Sequence, residues 1–360
     1  MPLPFILGGL AIASVATGVK KSYDGYQDKS EADDLLKQAK SIYENAQECI
    51  DAAQEQCMSS LEKIGNLYLD IGQDFNEFRT LAQSLIDQVE KNSNIHLDVN
   101  IPQLAQAKID SIAFNAATFA SKMAGGAVAG AASAYAVYGG VMSLAAASTG
   151  TAISSLSGVA AYNATLAAIG GGSIASGGFG MAVGAKILGG VVAAPIALAA
   201  GFAYASYGAE ALKKARESLK EAQNYAFKSN AVQSKLTATK SYIDLIEGRV
   251  SILYAQFQTY LEDLKIVELM VRRGKQNDLA QQQEILRVIE NGYAMAAILA
   301  NIITTPLFKV KKDDMDNSNL FDENNAPILV TDELGLNILN QDEMDQVIKS
   351  AKEESDNITK

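Results

Sequence analysis

The chain contains no tryptophan, one histidine and two cysteines in 360 residues. His96 alone cannot supply a metal site that needs several histidines, and two cysteines cannot build a thiolate zinc cage. No other set of titratable side chains has a spacing that suits catalysis. We therefore expect a protein that is not an enzyme, with no catalytic residue, no cofactor and no metal.

Basic residues are also in the minority, because 30 Lys and Arg face 41 Asp and Glu, a net charge of -11. Binding along nucleic-acid phosphates needs clustered Lys and Arg, so nucleic acid is not an expected partner. The excess of acid is local: Lys309–Lys360 holds thirteen acidic and six basic residues. Its Asn, Asp and short apolar runs predict a loosely folded acidic tail.

Large apolar side chains are scarce, since the chain is 48% hydrophobic but only 7% aromatic. Eighteen of the 28 glycines fall between Ser111 and Ala209, where Lys122 and Lys186 are the only charged residues. The chain therefore combines two kinds of segment, charged helical segments and an apolar block rich in Gly and Ala.

A long heptad pattern precedes this block. Apolar positions recur at alternating spacings of three and four, with one four-residue stutter, which predicts about 85 Å of continuous helix at 1.5 Å per residue. Ser30 with Asp33 suits a helix start, and Asn92–Pro102 suits a break. The predicted seam consists of Ala32, Leu35, Ala39, Ile42, Ala46, Cys49, Ala53, Cys57, Leu61, Ile64, Tyr68, Ile71, Phe75, Phe78, Ala82, Leu85 and Val89.

A matching seam follows the block, from Leu212 to Val271, and a third helix is predicted over Leu279–Ile303. Each seam must be buried against a partner, which suggests that the two long helices form an antiparallel pair or that each packs on another copy. The second seam consists of Leu212, Ala215, Leu219, Ala222, Leu236, Ile243, Ile246, Val250, Leu253, Phe257, Tyr260, Leu264, Val267 and Val271.

Three uncharged segments of the block, Met123–Ala147, Thr151–Ile169 and Leu188–Tyr207, are long enough to cross a hydrocarbon core. Their hydrophobicity is marginal, because Ala, Gly and Ser outnumber Leu and Ile. This favours conditional insertion over a permanent anchor. The alternative is a compact helical core in a soluble protein.

Small residues recur every four positions within the block. Gly126 and Gly130 share one helix face, and Gly172, Ser176, Gly180 and Gly184 share another. Small residues at this spacing let two helix backbones approach closely, which favours helix association in lipid. We therefore predict that these six residues form helix-association faces.

Basic residues border the apolar segments. Lys20 and Lys21 end an uncharged N-terminal stretch, and Lys213 and Lys214 follow the block. By the positive-inside rule these boundary residues would be cytoplasmic in a bacterial inner membrane. The N-terminal stretch suits a retained anchor, a cleaved signal or an apolar helix packed on the rest of the protein.

The pattern MPLPFILGG…GVKK, the long heptad helix and the stretch Ser148–Leu198 resemble bacterial glycine-zipper membrane proteins of uncharacterised activity. More loosely, helical rods around an apolar hairpin resemble the α-helical pore-forming toxins of the cytolysin A and haemolysin BL type. That resemblance implies a soluble form that hides the apolar segment and a membrane form that extrudes it. The chain departs from the toxins in having about twice the expected apolar length.

We therefore predict an all-α protein in which long antiparallel coiled-coil rods flank a Gly/Ala-rich hydrophobic hairpin or bundle. The predicted parts are an apolar segment (1–21), a first rod (22–110), the membrane-inserting block (111–209), a second rod with a C-terminal helix (210–308) and the acidic tail (309–360).

The expected function is an oligomeric, membrane-inserting protein that forms a pore or remodels a bilayer, at the bacterial inner membrane or in the cytoplasm with conditional insertion. Its partners would be the lipid bilayer, further copies of the chain and a partner protein of unknown identity. The alternative is a permanently anchored coiled-coil scaffold that recruits a partner through its cytoplasmic rods and acidic tail.

Overall fold

The computed structural model describes residues 22–93, 102–123, 136, 209–272, 279–314, 318–320, 328–333 and 336–358. Five α-helices make up most of this part of the chain: α1 (Ser22–Ser93), α2 (Gln103–Met123), α3 (Ala209–Arg272), α4 (Leu279–Thr304) and α5 (Gln341–Ile358). The described residues contain no strand beyond isolated backbone bridges. The predicted all-α class is confirmed.

Proline positions agree with the helix ends. Neither α1 nor α3 contains proline, whereas α2 begins directly after Pro102 and α4 ends shortly before Pro306. The predicted break is confirmed by the end of α1 at Ser93, and the predicted third helix is confirmed as α4. The predicted start at Ser30 is wrong, because α1 already begins at Ser22.

Most positions of both predicted seams are buried. Cys49 is an exception: it is exposed, and the neighbouring Ile50 is buried instead. The prediction that Cys49 belongs to the seam is therefore wrong, and the same prediction for Cys57 is confirmed. Burial along a seam agrees with helix pairing, and the coiled-coil arrangement itself stays a prediction.

The chain divides into two compact units. The first contains Met1–Cys57, Gly189–Ala238 and Glu333–Leu336, and the second contains Met58–Leu188, Thr239–Asp332 and Asn337–Lys360. Both α1 and α3 contribute to each unit.

In the first unit α1 and α3 pair through small residues and one aromatic contact. Ala32 packs with Ala211 and Ala215 in one buried cluster. The rings of Tyr43 and Tyr225 lie 4.6 Å apart, centroid to centroid. Alanine seams let two helices approach closely, and the tyrosine pair adds apolar area.

The predicted antiparallel arrangement of the two rods is wrong. In the first unit Glu31 pairs with Arg216, and Gln47 accepts a hydrogen bond from Tyr225. The residue numbers of the two helices therefore increase in the same direction. The second unit shows the same order, where Tyr254 donates to Asp74 and Lys265 pairs with Glu77. Helices α1 and α3 therefore run parallel within each unit.

Helix α2 folds back along α1, because Asp110 pairs with Arg79 while the later Ala116 lies against the earlier Gly72. Helix α2 is thus antiparallel to α1. The antiparallel prediction rested on the need of each seam for a partner, and a connection as long as residues 94–208 permits either direction.

The core of the second unit is aromatic and aliphatic. Phe257 of α3 packs against Phe75 and Phe78 of α1 at centroid distances of 5.2 and 5.4 Å, and Phe78 packs edge-on against Tyr293 of α4 at 5.2 Å. These rings are buried, so they contribute large apolar areas where α1, α3 and α4 meet. Helix α4 also packs against α2 and α5.

The chain between α4 and α5 is held by short antiparallel backbone pairings. Phe308 pairs with Leu339 and Val310 pairs with Leu329. Helix α5 follows, with Met344, Ala351 and Ser355 buried. The prediction of a loosely folded tail is therefore wrong for Gln341–Ile358, because one narrow buried face anchors this helix. That face has too few residues to be recognised within an acidic segment.

Candidate functional site

Eight of the ten residues predicted as membrane, helix-association or boundary residues lie outside the described part of the chain. These are Gly126, Gly130, Gly172, Ser176, Gly180, Gly184, Lys20 and Lys21. Their predicted roles stay predictions. The other two, Lys213 and Lys214, lie in the first turns of α3, where Lys213 is exposed and pairs with Glu217 at 4.0 Å.

Helix α2 spans the start of the predicted apolar block, because its residues 111–123 are the first thirteen of the block. Its inner face, formed by Ile109, Ile112, Ala113 and Ala116, is buried. Its outer face exposes Leu104 and Phe114, of which the Phe114 side chain is 53% exposed. Phe114 lies nine residues before the end of α2, within the Gly/Ala-rich block, and its exposure makes α2 the candidate functional element.

A close backbone approach docks α2 on α1. A Cβ added to Gly72 would overlap the Cβ of Ala116 and would lie 3.1 Å from the carbonyl oxygen of Ile112. The lack of a side chain at Gly72 therefore sets the distance between the two helices. Here a small-residue contact joins two helices outside the six positions predicted for that role.

Two polar contacts hold the same helix. Arg79 Nη1 lies 3.1 Å from Asp110 Oδ1, and Lys108 Nζ donates to Asn301 Oδ1 of α4 at 2.9 Å. Partial burial lowers the pKa of the Lys108 ammonium below its ordinary value. Because the Arg79 and Asp110 side chains are about 40% exposed, their ion pair is worth at most about 1 kcal/mol.

A second polar cluster joins α1 to α3. The Tyr254 hydroxyl donates to Asp74 Oδ2 at 2.7 Å, and Gln258 Nε2 donates to the same oxygen at 3.4 Å. Burial, with the neighbouring Asp74 carboxylate, raises the pKa of Tyr254 far above its ordinary value. Burial and the charge of Asp74 also raise the pKa of Asp70. This cluster ties two helices together.

One described segment, Gln283–Thr304 of α4, is long and apolar enough to cross a membrane by length and composition alone. In the most apolar stretch of this segment, 61% is buried inside the bundle, which is also typical of a core helix. The sequence analysis did not assign this segment to the membrane. Its contacts with α1, α2 and α5 account for its apolar character.

Sequence reasoning missed the docking of α2. Gly72 lies beside the seam of a long heptad helix, where a glycine by itself does not indicate a contact. Its role is visible only together with the Ala113 and Ala116 face of α2. Gly292 was missed for the same reason, since its partner is the distant Phe78. In the described residues we find no group of three His, Cys, Asp or Glu side chains placed to hold a metal ion.

Comparison with models of protein families finds no match to this chain. Searches of curated proteins and of solved structures likewise find no match.

Proposed function

We propose that this chain is an oligomeric helical protein that inserts its Gly/Ala-rich block into a lipid bilayer and permeabilises or remodels it. The observation that carries this proposal is the composition of residues 111–209, where Lys122 and Lys186 are the only charges and large aliphatic residues are few. Such a block tolerates both water and lipid, because neither its polarity nor its hydrophobicity is strong.

The described bundle supports the proposal through α2. This helix packs in the bundle, contains the first thirteen residues of the block and presents Leu104 and Phe114 to solvent. Its polar contacts with α1 and α4 include a half-exposed ion pair and a hydrogen bond, each of which is weak in comparison with buried apolar packing. Release of α2 would free the entrance to the block while the aromatic core of α1, α3 and α4 stays folded.

Dye release from liposomes tests the activity. Purified protein is added to vesicles loaded with a self-quenching dye, and wild type is compared with Gly180→Leu/Gly184→Leu. Leucine at both positions separates helices that pack through small residues, so release should fall at least tenfold. The matched control, Gly180→Ala/Gly184→Ala, keeps small side chains and should retain release. Vesicles that stay intact with wild type across anionic and neutral lipid compositions would refute the proposal.

A second comparison tests the part assigned to α2. Asp110→Ala removes the pair with Arg79 and should speed dye release several-fold, because α2 is then held less tightly. Lys265→Ala is the matched control, since it removes a pair with Glu77 that joins α3, and not α2, to α1. Equal acceleration by both variants would indicate general loosening of the bundle and would remove α2 from the proposal.

Cell fractionation separates this function from a permanently anchored scaffold. A conditional inserter should leave part of the protein in the soluble fraction, whereas a scaffold should sediment entirely with membranes. Complete recovery in the membrane pellet, resistant to alkaline carbonate, would favour the scaffold with its rods and acidic segment as a recruitment surface.

A further inference from the structure

Helix α3 carries a second apolar row, on a face that does not contact α1. Leu245, Ile252 and Ile266 are all about half exposed, and they lie seven or fourteen residues apart with Thr259 between them. Leu269 and Met270 continue the row and are also exposed. Seven-residue spacing keeps these side chains on one line along the helix, as in a coiled-coil seam. We call Leu245–Met270 the outer row.

The residues between the large side chains are small. Gly248 and Ala255 lie three positions after Leu245 and Ile252, and both are exposed. A Cβ added to Gly248 would meet no atom within 4 Å. From Leu245 to Ala255 the outer row therefore alternates large and small positions, which allows the side chains of a second helix to fill the space above Gly248 and Ala255.

Opposite charges flank the row at matching places. Arg249 and Asp263 both follow a row position by four residues, and they are two heptads apart. Both side chains are exposed, and neither forms an ion pair within 4.0 Å among the described residues. Asp263 also lies near enough to Arg287 to affect its pKa, although the direct partner of Arg287 is Glu284.

We propose that the outer row is the interface at which a second copy of this chain packs against α3, with the two helices antiparallel. Arg249 of each copy then lies beside Asp263 of the other, which gives two equivalent ion pairs about a two-fold axis. Leu245 lies opposite Leu269, and Ile266 lies over Gly248. The interface gives the oligomer of the proposed function a definite contact, and it does not depend on membrane insertion.

The charges also decide the direction and the occupant. A parallel dimer in register would place Glu262 against Glu262 of the second copy, and like charges in a seam disfavour that pairing. In the antiparallel dimer Glu262 faces Ile252 and keeps its pair with Lys265. The apolar block does not fit this interface, because its only charges are Lys122 and Lys186 and it offers no acidic partner for Arg249.

Sedimentation velocity of the full-length chain tests the proposal, with mild detergent present to keep the apolar block dispersed. Wild type should dimerise, and Arg249→Asp or Asp263→Arg alone should weaken the dimer about tenfold, because each creates two like-charge contacts. The double variant Arg249→Asp/Asp263→Arg restores opposite charges and should recover the wild-type affinity within about threefold. Lys220→Asp, an exposed charge reversal elsewhere on α3, is the control and should have no effect.

Cysteine crosslinking tests the direction, in a background where the exposed Cys49 is changed to Ser. A mixture of Gly248→Cys and Ile266→Cys chains, distinguished by size tags, should form the mixed disulfide, because these positions face each other across the antiparallel interface. Crosslinks within each single variant alone would indicate a parallel dimer and overturn the direction. A monomeric wild type, or an oligomer indifferent to both charge reversals, would overturn the interface itself. No membrane is present, so these results are separate from those of dye release.

Discussion

The ring of Phe78 occupies the space beside Gly292 where any other residue would place its Cβ. Phe78 is buried and packs edge-on against Tyr293, the next residue of α4. Because Phe257 contacts the same ring from α3, the missing side chain at one position lets three helices share one aromatic cluster.

Gly292→Ala should lower the free energy of unfolding by about 2 kcal/mol, since the added methyl group overlaps a ring that neighbouring rings hold in place. Gly248→Ala is the matched control, and both changes are made in the Arg249→Asp background so that the proposed dimer does not form. It adds the same group to a helix where nothing lies within 4 Å, so it should stabilise by about 0.5–1 kcal/mol through helix propensity. Urea unfolding followed by circular dichroism measures both, and equal effects would show that Phe78 can move aside.

Gly72→Ala should weaken the docking of α2 on α1 by about 1–3 kcal/mol, because the new methyl group meets Ala116 and the backbone of Ile112. Hydrogen exchange should accelerate in α2 before it accelerates in the aromatic core. Adding Ala116→Gly frees the space again, so the double variant should be more stable than the sum of the two single changes predicts. Strict additivity would mean that the two residues do not limit the helix separation.

The positions of the long helices were predictable because the apolar spacing of each seam repeats many times, so single exceptions such as Cys49 do not hide it. The apolar positions from Ala32 to Val89 are mostly buried, as predicted. The direction of α3 was not predictable, because a heptad seam has the same pattern in either direction. It depends on particular distant pairs, such as Glu31 with Arg216, and on the return of the chain through α2.

The small helix α5 and the α2 docking were beyond prediction for a related reason. Only Met344, Ala351 and Ser355 of α5 are buried, which is too few to form a recognisable apolar face within an acidic segment. For α2, the decisive Gly72 and Ala116 lie on different helices, and neither has a local signal of its own. Contacts of this kind become visible only after the helices are placed.

Asn340 begins α5 and connects it to the preceding chain. Its amide nitrogen donates to the carbonyl oxygen of Pro306 at 3.2 Å and to Glu343 Oε2 at 2.7 Å, and its own carbonyl accepts from the Met344 amide. Asn340→Ala should cost about 1 kcal/mol and should raise hydrogen exchange most in the first turn of α5. Asn340→Ser retains one short side-chain donor in place of the amide nitrogen and should lie between alanine and wild type. Unchanged exchange in α5 would contradict this role.

Stability at alkaline pH should depend on Tyr254. Burial and the bond to Asp74 raise its pKa in the folded state above the ordinary value of 10.0, so the folded protein keeps a proton that the unfolded chain loses. The contribution of this proton is therefore complete below about pH 10 and is lost as pH rises further.

The advantage of wild type over Tyr254→Phe should be constant from pH 8 to about 9.5. Above that it should fall by up to about 1.4 kcal/mol per pH unit, as measured by urea unfolding at each pH. Lysine deprotonation affects both proteins alike and cancels in the difference. A difference that stays constant to pH 11.5 would show that the folded state does not hold the proton.

Two exposed phenylalanines on different helices allow a test of whether the protein contacts the membrane through α2 or adsorbs nonspecifically through any exposed aromatic ring. Phe114 of α2 is 53% exposed and Phe227 of α3 is 79% exposed, so either can become serine with an expected change in unfolding free energy below about 0.5 kcal/mol. If α2 leads the block into the bilayer, Phe114→Ser should weaken liposome binding about tenfold, because membrane affinity follows the apolar area that enters the interface.

Phe227→Ser should leave liposome binding unchanged, although it removes the more exposed ring. Vesicle co-sedimentation over a range of lipid concentrations gives the two partition coefficients, and thermal unfolding checks that both variants remain folded. Equal losses would mean that any exposed aromatic assists adsorption, and no loss in either would place membrane contact away from α2. If binding depended on exposure alone, Phe227→Ser would cause the larger loss of liposome binding. A larger loss for Phe114→Ser therefore requires that α2 faces the bilayer.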